Sequence, residues 1–286
     1  MSEPFDAAVL RWYADCSRDL PWRGPDITPW AVVVSEFMLQ QTPVARVEPV
    51  WREWLGRWPT PHALAAEPAG EAVRAWGRLG YPRRALRLHA AATALVERHD
   101  GEVPDGIDAL RALPGVGDYT AAAIAAFAFG RRVAVLDTNV RRVYARVFDG
   151  RDEPTSAPTV AEREAALARV PDVTPASYSV AVMELGALVC RARAPRCSDC
   201  PVAVHCRWLA AGKPVSGAVR RTQSYEGTDR QARGRLLAVL RASPHPVPDM
   251  ELDASWQDAE QRGRALSSLV ADGLVERVPT GYRLPA

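Results

Sequence analysis

The chain has 286 residues and a formal net charge of +2. That length leaves room for two or three domains with proper cores, while so small a charge says little by itself about nucleic acid. No apolar run is long enough to span a membrane, and the start "MSEPFDAAVLRWYADC" has neither a basic opening nor a long apolar core, so a soluble cytoplasmic protein is expected, with no membrane partner.

Most of the chain predicts helix. "WAVVVSEFMLQ", "VEPVWREWLGRW", "AVRAWGRLG", "RRALRLHAAATALVERH" and "TAAAIAAFAF" place apolar residues three and four apart, between short Pro/Gly breaks. The breaks at Pro59–Pro61, Pro104, Pro114 and Pro154–Pro158 set ordinary helix lengths. No region before residue 270 alternates with period two, so the fold class is mainly α. "AAGKPVSGAVRRTQSYEGTDRQ" is polar and rich in Gly, Ser and Thr, which predicts a linker over 213–229. Beyond it, "ARGRLLAVLRAS", "MELDASW" and "DAEQRGRALSSLVADG" read as three helices, and "GLVERVPTGYRLP" alternates around Thr280–Gly281 like a hairpin. Three helices and a hairpin are the winged-helix order, so 230–286 either binds DNA or a partner or is a packing module without groove contact.

Four of the five cysteines fall within "CRARAPRCSDCPVAVHC". Their spacing, C-x6-C-x2-C-x5-C, involves Cys190, Cys197, Cys200 and Cys206. Disulfides belong to oxidising compartments and mostly to small secreted domains. Zinc favours two tight pairs, and only Cys197 and Cys200 form one. An iron–sulfur cluster takes four thiolates at irregular spacing, which the pattern favours while leaving zinc open. Cys16, in "RWYADCS", reads as a small apolar packing residue.

"LPGVGDYTAAAIAAFAFG" sets Gly115, Val116 and Gly117 directly before a long helix. Glycines let the backbone turn tightly and approach a ligand, and the amides at a helix start form an anion site. No strand precedes it, so it is not a dinucleotide loop. It reads as a hairpin that grips a DNA phosphate, or else as an ordinary helix–turn–helix corner. In "VAVLDTNVRRVYAR", Asp137 is flanked by Arg131, Arg132, Arg141, Arg142 and Arg146, so it is expected to stay ionised, and it also suits the N-cap of the next helix.

Hairpin, aspartate and cysteine spacing together resemble the endonuclease III superfamily of helix-hairpin-helix DNA glycosylases, over about residues 5–212. The resemblance implies a two-lobed helix-hairpin-helix DNA glycosylase fold with a [4Fe–4S] cluster loop. Residues 24–133 would form a six-helix barrel domain carrying the hairpin. Residues 1–23 and 134–212 would form the cluster domain, and 230–286 the small winged-helix-like α/β module. Members that also cut the DNA backbone carry a nucleophilic lysine two residues past the second glycine. That position is Tyr119 here, and the chain's only lysine is Lys213, which implies a monofunctional enzyme.

"VVVSEFMLQQTPV" is similar to the signature of MutY-type adenine DNA glycosylases, which excise adenine opposite 8-oxoguanine or guanine. The resemblance makes Glu36 the general acid. Adenine leaves poorly unless protonated, and a glutamate on an apolar helix face is expected to stay protonated near neutral pH. Asp137 would stabilise the oxocarbenium-like sugar, with Tyr119 and Asn139 in the same pocket. Arg23 and Glu184 match positions that contact the extruded adenine. Gln40 and Gln41 fit the wedge that fills the gap, and Tyr81 resembles the tyrosine that intercalates beside 8-oxoguanine. Arg191, Arg193 and Arg196 in the cluster loop are placed to meet phosphates. The implied partner is double-stranded DNA with A:8-oxoguanine or A:G mispairs, bound by a monomer.

Three features depart from the pattern. The loop after Arg23 is one residue longer, Pro82 stands where a second tyrosine is usual, and the usual β-rich C-terminal domain is replaced by the winged-helix-like end. A thymine or uracil mismatch glycosylase of the same superfamily is the alternative, and it usually lacks the glutamate and glutamines of this motif. A non-catalytic DNA-binding protein with a structural cluster is the alternative of another class, against which Glu36 and Asp137 speak.

Overall fold

The computed structural model describes residues 3–215 and 225–286, so the middle of the expected linker lies outside the described residues. In chain order the helices are α1 (Phe5–Cys16), α2 (Pro29–Leu39), α3 (Val44–Arg57), α4 (Pro61–Ala65), α5 (Ala69–Ala75), α6 (Arg83–His99), α7 (Ile107–Arg111), α8 (Asp118–Phe129), α9 (Thr138–Val147), α10 (Val160–Arg169), α11 (Pro175–Leu188), α12 (Arg207–Ala210), α13 (Asp229–Ala242), α14 (Asp249–Ser255) and α15 (Ala259–Ala271). Strands β1 (Glu276–Val278) and β2 (Gly281–Arg283) pair antiparallel. No helix among the described residues is long and apolar enough to cross a membrane. The chain forms two compact units. One comprises Met1–Pro29, Asp105–Arg111 and Val116–Val219; the other Trp30–Pro104, Ala112–Gly115 and Arg220–Ala286.

The first unit is built on α1, α9 and α11. Val140, Val143 and Val147 of α9 pack with Tyr178, Val182 and Leu185 of α11 and with Val9 of α1. The two tyrosine hydroxyls of Tyr144 and Tyr178 meet at 3.1 Å, which satisfies both inside the core. Cys16 departs from expectation: it ends α1 exposed, because the helix terminates there and the chain turns extended at Ser17.

In the second unit, α2 is buried from Trp30 to Met38 without a break. Such a helix is a core helix on all sides, not an amphipathic one with a single apolar face. Around it, Trp54, Trp58 and Trp76 pack edge to face, with ring centroids 4.6 and 5.8 Å apart. The basic stretch "AVRAWGRLGYPRRALRLH" is not one helix. It breaks after Ala75 into a loop and resumes at Arg83, because Gly77, Gly80 and Pro82 cannot sustain helix through this run.

The C-terminal helices and hairpin form within this second unit. The hairpin pairs Val278 with Gly281, so its two-residue turn is Pro279–Thr280, one residue earlier than the alternation predicts. Gly281 is not the turn residue but a strand residue. A Cβ there would stand 2.1 Å from the Val247 carbonyl oxygen, which accepts from the Tyr282 amide at 2.9 Å. The last residues dock on α5: the Gly70 amide donates to the Pro285 carbonyl at 2.8 Å.

A Cβ on Gly70 would lie 2.4 Å from that carbonyl oxygen and 2.9 Å from Leu284 Cβ. Gly to Ala inside a helix normally gains about 0.5–1 kcal/mol. Here Gly70→Ala is expected to reverse that sign and cost about 1–3 kcal/mol, as overpacking does, and urea unfolding measures it.

Candidate active site

In the first unit, Asp137 begins α9 as its N-cap. Its Oδ1 accepts from the Val140 amide at 2.6 Å and its Oδ2 from Asn139 Nδ2 at 2.7 Å. Asn139 Oδ1 in turn accepts from Arg142 Nη2 at 2.8 Å. The same guanidinium donates to the carbonyls of Gly186 at 2.7 Å and of Cys190 at 2.7 Å. A chain of hydrogen bonds therefore runs from Asp137 through Asn139 and Arg142 to the backbone of the first cysteine of the loop. Gly186 allows the approach, since a Cβ there would lie 2.7 Å from Asn139 Cβ.

At Asp137, burial works against the positive charge that flanks it in the sequence. Burial pushes its carboxyl above the ordinary range, against the pull of the Val140 and Asn139 hydrogen bonds and of Arg142. Of the five flanking arginines, Arg142 is the one that pulls it down, because the others are engaged elsewhere. Arg131 pairs with Asp105, Arg132 with Asp172, and Arg141 with Glu162, while Arg146 binds the carbonyls of Arg191 and Asp152.

Glu184, on α11, is fully buried with 0% of its side chain exposed. Arg18 clasps it through Nε at 2.5 Å, Nη2 at 2.8 Å and its own amide at 3.2 Å, and Arg23 Nη2 adds a bond at 3.0 Å. Burial pushes Glu184 up, but the Arg18 hydrogen bond, with the charge and hydrogen bond of Arg23, outweighs it and holds the carboxyl below its ordinary range. Another Arg23 nitrogen, Nη1, is buried with no hydrogen-bond partner. Sequence reasoning named Arg23 and Glu184 but missed Arg18. Its partner lies 166 residues away, and no spacing rule reaches that far.

The hairpin divides its work between two glycines. Gly115 has φ +80, and a Cβ would meet Arg87 and Phe37 below 3.0 Å, so only glycine makes this turn. Gly117, the N-cap of α8, has ordinary φ, and a Cβ added there would meet nothing within 4 Å; its bareness leaves the amides at the helix start open. Val116 between them is buried. Tyr119 follows in the first turn of α8, partly buried against Ala122, Ala123, Ala126 and Val135.

In the second unit, Glu36 sits in the middle of α2, only 5% exposed, between Ser35 and Phe37. Gln40 and Gln41 follow the end of the helix, where Gln41 takes the left-handed φ of 56°. Tyr81 takes φ 47° in the loop before α6 and is 57% exposed. One buried cation, Arg84, ties both segments. It donates to the carbonyls of Phe37 at 2.9 Å, Met38 at 3.0 Å and Gly80 at 3.1 Å and to Thr42 Oγ1 at 2.8 Å, and it also binds the Gln40 carbonyl. Burial lowers its pKa to about 10, so it stays charged at neutral pH. The sequence shows a basic "RR" pair and does not reveal that its second member is the buried one.

The four clustered cysteines, all free thiols, line one cavity with Val143, Val189, Val202, Arg146 and Trp208. Arg146 Nη1 lies 3.5 Å from Cys190 Sγ. Burial pushes the Cys200 thiol up to about 11 and that of Cys206 upward as well, so thiolates form here only when a cation replaces the protons. Of the loop arginines, Arg196 pairs with Asp199, and Arg191 bonds the Ala194 carbonyl. Among the described residues, no three His, Cys, Asp or Glu side chains are gathered to hold a single metal ion.

Gly186→Ala is expected to force α9 and α11 apart at Asn139, costing about 1–3 kcal/mol in chemical unfolding and displacing Asp137. Asp137→Asn keeps an N-cap while removing a carboxylate whose ionisation the fold disfavours. A raised native pKa means that ionisation costs stability only above the unfolded-state value. The variant's Tm is therefore expected to exceed the parent's at pH 7.5 and to converge with it as pH falls to about 4, as thermal melts across pH will read.

The comparisons identify the family. The family described as HhH-GPD superfamily base excision DNA repair protein matches residues 34–169. The adenine DNA glycosylase of Mycobacterium tuberculosis is 54% identical over 285 residues, covering 98% of this chain and 93% of that protein. That of Mycolicibacterium smegmatis is 52% identical over 274 residues, covering 96% and 93%. Among solved structures, a thermostable thymine-DNA glycosylase superposes with a TM-score of 0.68 at 27% identity, over 72% of this chain and 95% of that one. A mainly helical fold, the hairpin before α8 and full-length identity above one half converge: the chain belongs to the adenine DNA glycosylase family of the helix-hairpin-helix base excision repair superfamily.

Proposed function

We propose that this chain hydrolyses the N-glycosidic bond of adenine mispaired with 8-oxoguanine or guanine in double-stranded DNA, as a cytoplasmic monomer, and leaves the DNA backbone intact. The observation that carries the reading is Glu36: a glutamate only 5% exposed, in the middle of a helix buried from Trp30 to Met38, a setting of the kind in which general acids are held. A solvent-facing glutamate would serve solubility, whereas a buried one this deep has a chemical use or a structural partner.

The chemistry divides between two carboxyls, as in other glycosidic cleavages. Glu36 delivers its proton to a ring nitrogen of the extruded adenine. The C1′–N9 bonding pair then leaves with the base, and the sugar becomes oxocarbenium-like. Asp137 answers that charge. Its anion receives two hydrogen bonds but is poorly solvated, so a cation forming beside it relieves the cost of its burial. Water adds to C1′, and its proton passes to Glu36, directly or by way of Asp137, which restores the starting state. The anionic Glu184 and the unfilled Arg23 nitrogen offer an acceptor and a donor to the edge of the base. Tyr119 occupies the nucleophile position of lyases, and a phenol cannot form a Schiff base, which supports a monofunctional reaction. Gln40, Gln41 and Tyr81 serve the gap left in the duplex and the opposite base. The amides of Gly115, Val116 and Gly117 take a backbone phosphate.

Cys190, Cys197, Cys200 and Cys206 suit a [4Fe–4S] cluster: four thiols facing one cavity, with Arg146 beside one sulfur to offset the charge of the bound thiolates. Bound there, the cluster supplies a covalent pin for the loop that follows α11.

Base release from duplexes carrying A:8-oxoguanine, A:G, T:G and U:G tests the reading. Adenine release from the first two alone is expected, with no strand break before alkali. Glu36→Gln is expected to keep duplex binding and lose about 10²–10⁴-fold in rate. Thymine or uracil release without adenine would transfer the chain to the mismatch branch that the thymine-DNA glycosylase likeness represents. Iron analysis is expected to return about four atoms per chain.

A further inference from the structure

We infer that the C-terminal module works as an internal brace for the Tyr81 loop, with Arg241 as its positioning residue, so that opposite-base readout depends on a module that need not touch DNA. The inference rests on the reading of Tyr81 given above.

The module's charge does not suit a DNA groove. Residues 230–286 hold eight arginines against seven acidic residues. Arg233 meets Asp272, Arg262 meets Asp253, Arg264 meets Glu260, Arg277 meets Asp249 and Arg283 meets Glu276, all within the module. Phosphate binding draws on cations available to replace counterions, and these are already compensated by carboxylates.

Its contacts with the rest of its unit converge instead on α5 and the loop that follows. The seven-residue α5 is too short to satisfy its own ends. At its start, the Gly70 amide is taken by the Pro285 carbonyl. At its end, Arg241 Nε donates to the Val73 carbonyl at 2.8 Å and Nη1 to that of Gly77. Arg74 returns the contact, donating to the Ser243 carbonyl at 2.9 Å and to the Arg241 carbonyl itself. Asp272, which holds Arg233, also reaches Arg83 at 3.3 Å, at the head of α6.

The loop between has three left-handed residues in five: Gly77 at φ 52°, Gly80 at 82° and Tyr81 at 47°. A tyrosine in that region costs about 1–2 kcal/mol and persists only where its surroundings over-determine it. Those surroundings are acceptor bonds to the loop's own carbonyls. Trp76 Nε1 and Arg84 hold Gly80, Thr42 Oγ1 holds Leu79, and Arg241 holds Gly77. Three of these four anchors belong to the segment 42–84; the fourth comes from α13. The Arg241 side chain is desolvated enough to lower its pKa to about 10, so its charge is committed to these carbonyls.

The test uses the full-length protein and the variants Arg241→Met, Arg241→Lys, Arg74→Met and Tyr81→Ala. Three measurements are compared: single-turnover adenine release from A:8-oxoguanine and A:G duplexes, amide hydrogen exchange across residues 77–82 without DNA, and Tm. Arg241→Met is expected to slow release from A:8-oxoguanine about tenfold and to narrow its preference over A:G, with Arg241→Lys partly restoring both. In a Tyr81→Ala background the same substitution is expected to add little, because both act through one side chain. Exchange in the loop should rise in Arg241→Met and Arg74→Met. Full additivity with Tyr81→Ala, or a lower Tm with preference and loop exchange unchanged, overturns the brace. Should Arg241→Met fail to fold, Arg74→Met is read by the same criteria. Absence of adenine release from the parent protein would overturn the proposed function instead, and loop exchange would still decide the brace.

Discussion

A buried guanidinium must bring its acceptors with it. Removing a cation from water is costly, and the fold recovers that cost by aiming carbonyl oxygens at its N–H groups. This chain, with one lysine, meets the demand repeatedly. Arg84 gathers the carbonyls at the end of α2 together with Gly80, Arg142 gathers those of Gly186 and Cys190, and Arg241 gathers those of Val73 and Gly77. In each case the acceptors sit where a helix ends or a loop begins, at groups that have no intrahelical partner. Arginine suits the task because its planar fork serves several acceptors at once, where a lysine ammonium offers one compact point.

The consequence is positional. Segments that would otherwise fray are fixed by long side chains rooted in neighbouring helices. Asp137 is held by an amide and an amide side chain, and that side chain by Arg142. The Gln40–Gln41 segment after α2 and the Tyr81 loop share Arg84. Reacting groups must be placed to within a fraction of an ångström, and rigid hydrogen-bonded supports accomplish that better than apolar contacts, which slide.

Local features of this arrangement were legible in the sequence, and distant ones were not. Apolar spacing and Pro/Gly breaks revealed α2, α3, α6 and α8, and the three helices and hairpin of the C-terminal end. Asp137 declared itself as an N-cap, and Gly115 and Gly117 as a hairpin, because their signals lie within a few residues. The balance of burial and charge at Asp137 was not legible, because sequence proximity stood in for spatial proximity. Arg131, Arg132 and Arg141 lie close in the chain and spend their charge on Asp105, Asp172 and Glu162. Arg18 and the docking of Arg241 escaped altogether: one partner is a carboxylate far along the chain, the others are backbone carbonyls, which every residue carries and no motif marks. Gly281 was seen as punctuation, and its real reason, the Val247 carbonyl against its α-carbon, exists only in three dimensions.

Several residues that break local rules are ones assigned to the reaction. A carboxylate is desolvated at Asp137, a glutamate is sunk in a core helix at Glu36, and glutamine and tyrosine take left-handed backbone at Gln41 and Tyr81. Each is less favourable than an ordinary residue in its place, and each is surrounded by groups that leave it no alternative. A sequence selected for stability alone would relax all four, with an asparagine cap, a leucine in α2 and glycines in the turns. Their coincidence in one chain is what a fold looks like when stability has been spent to hold chemistry in place.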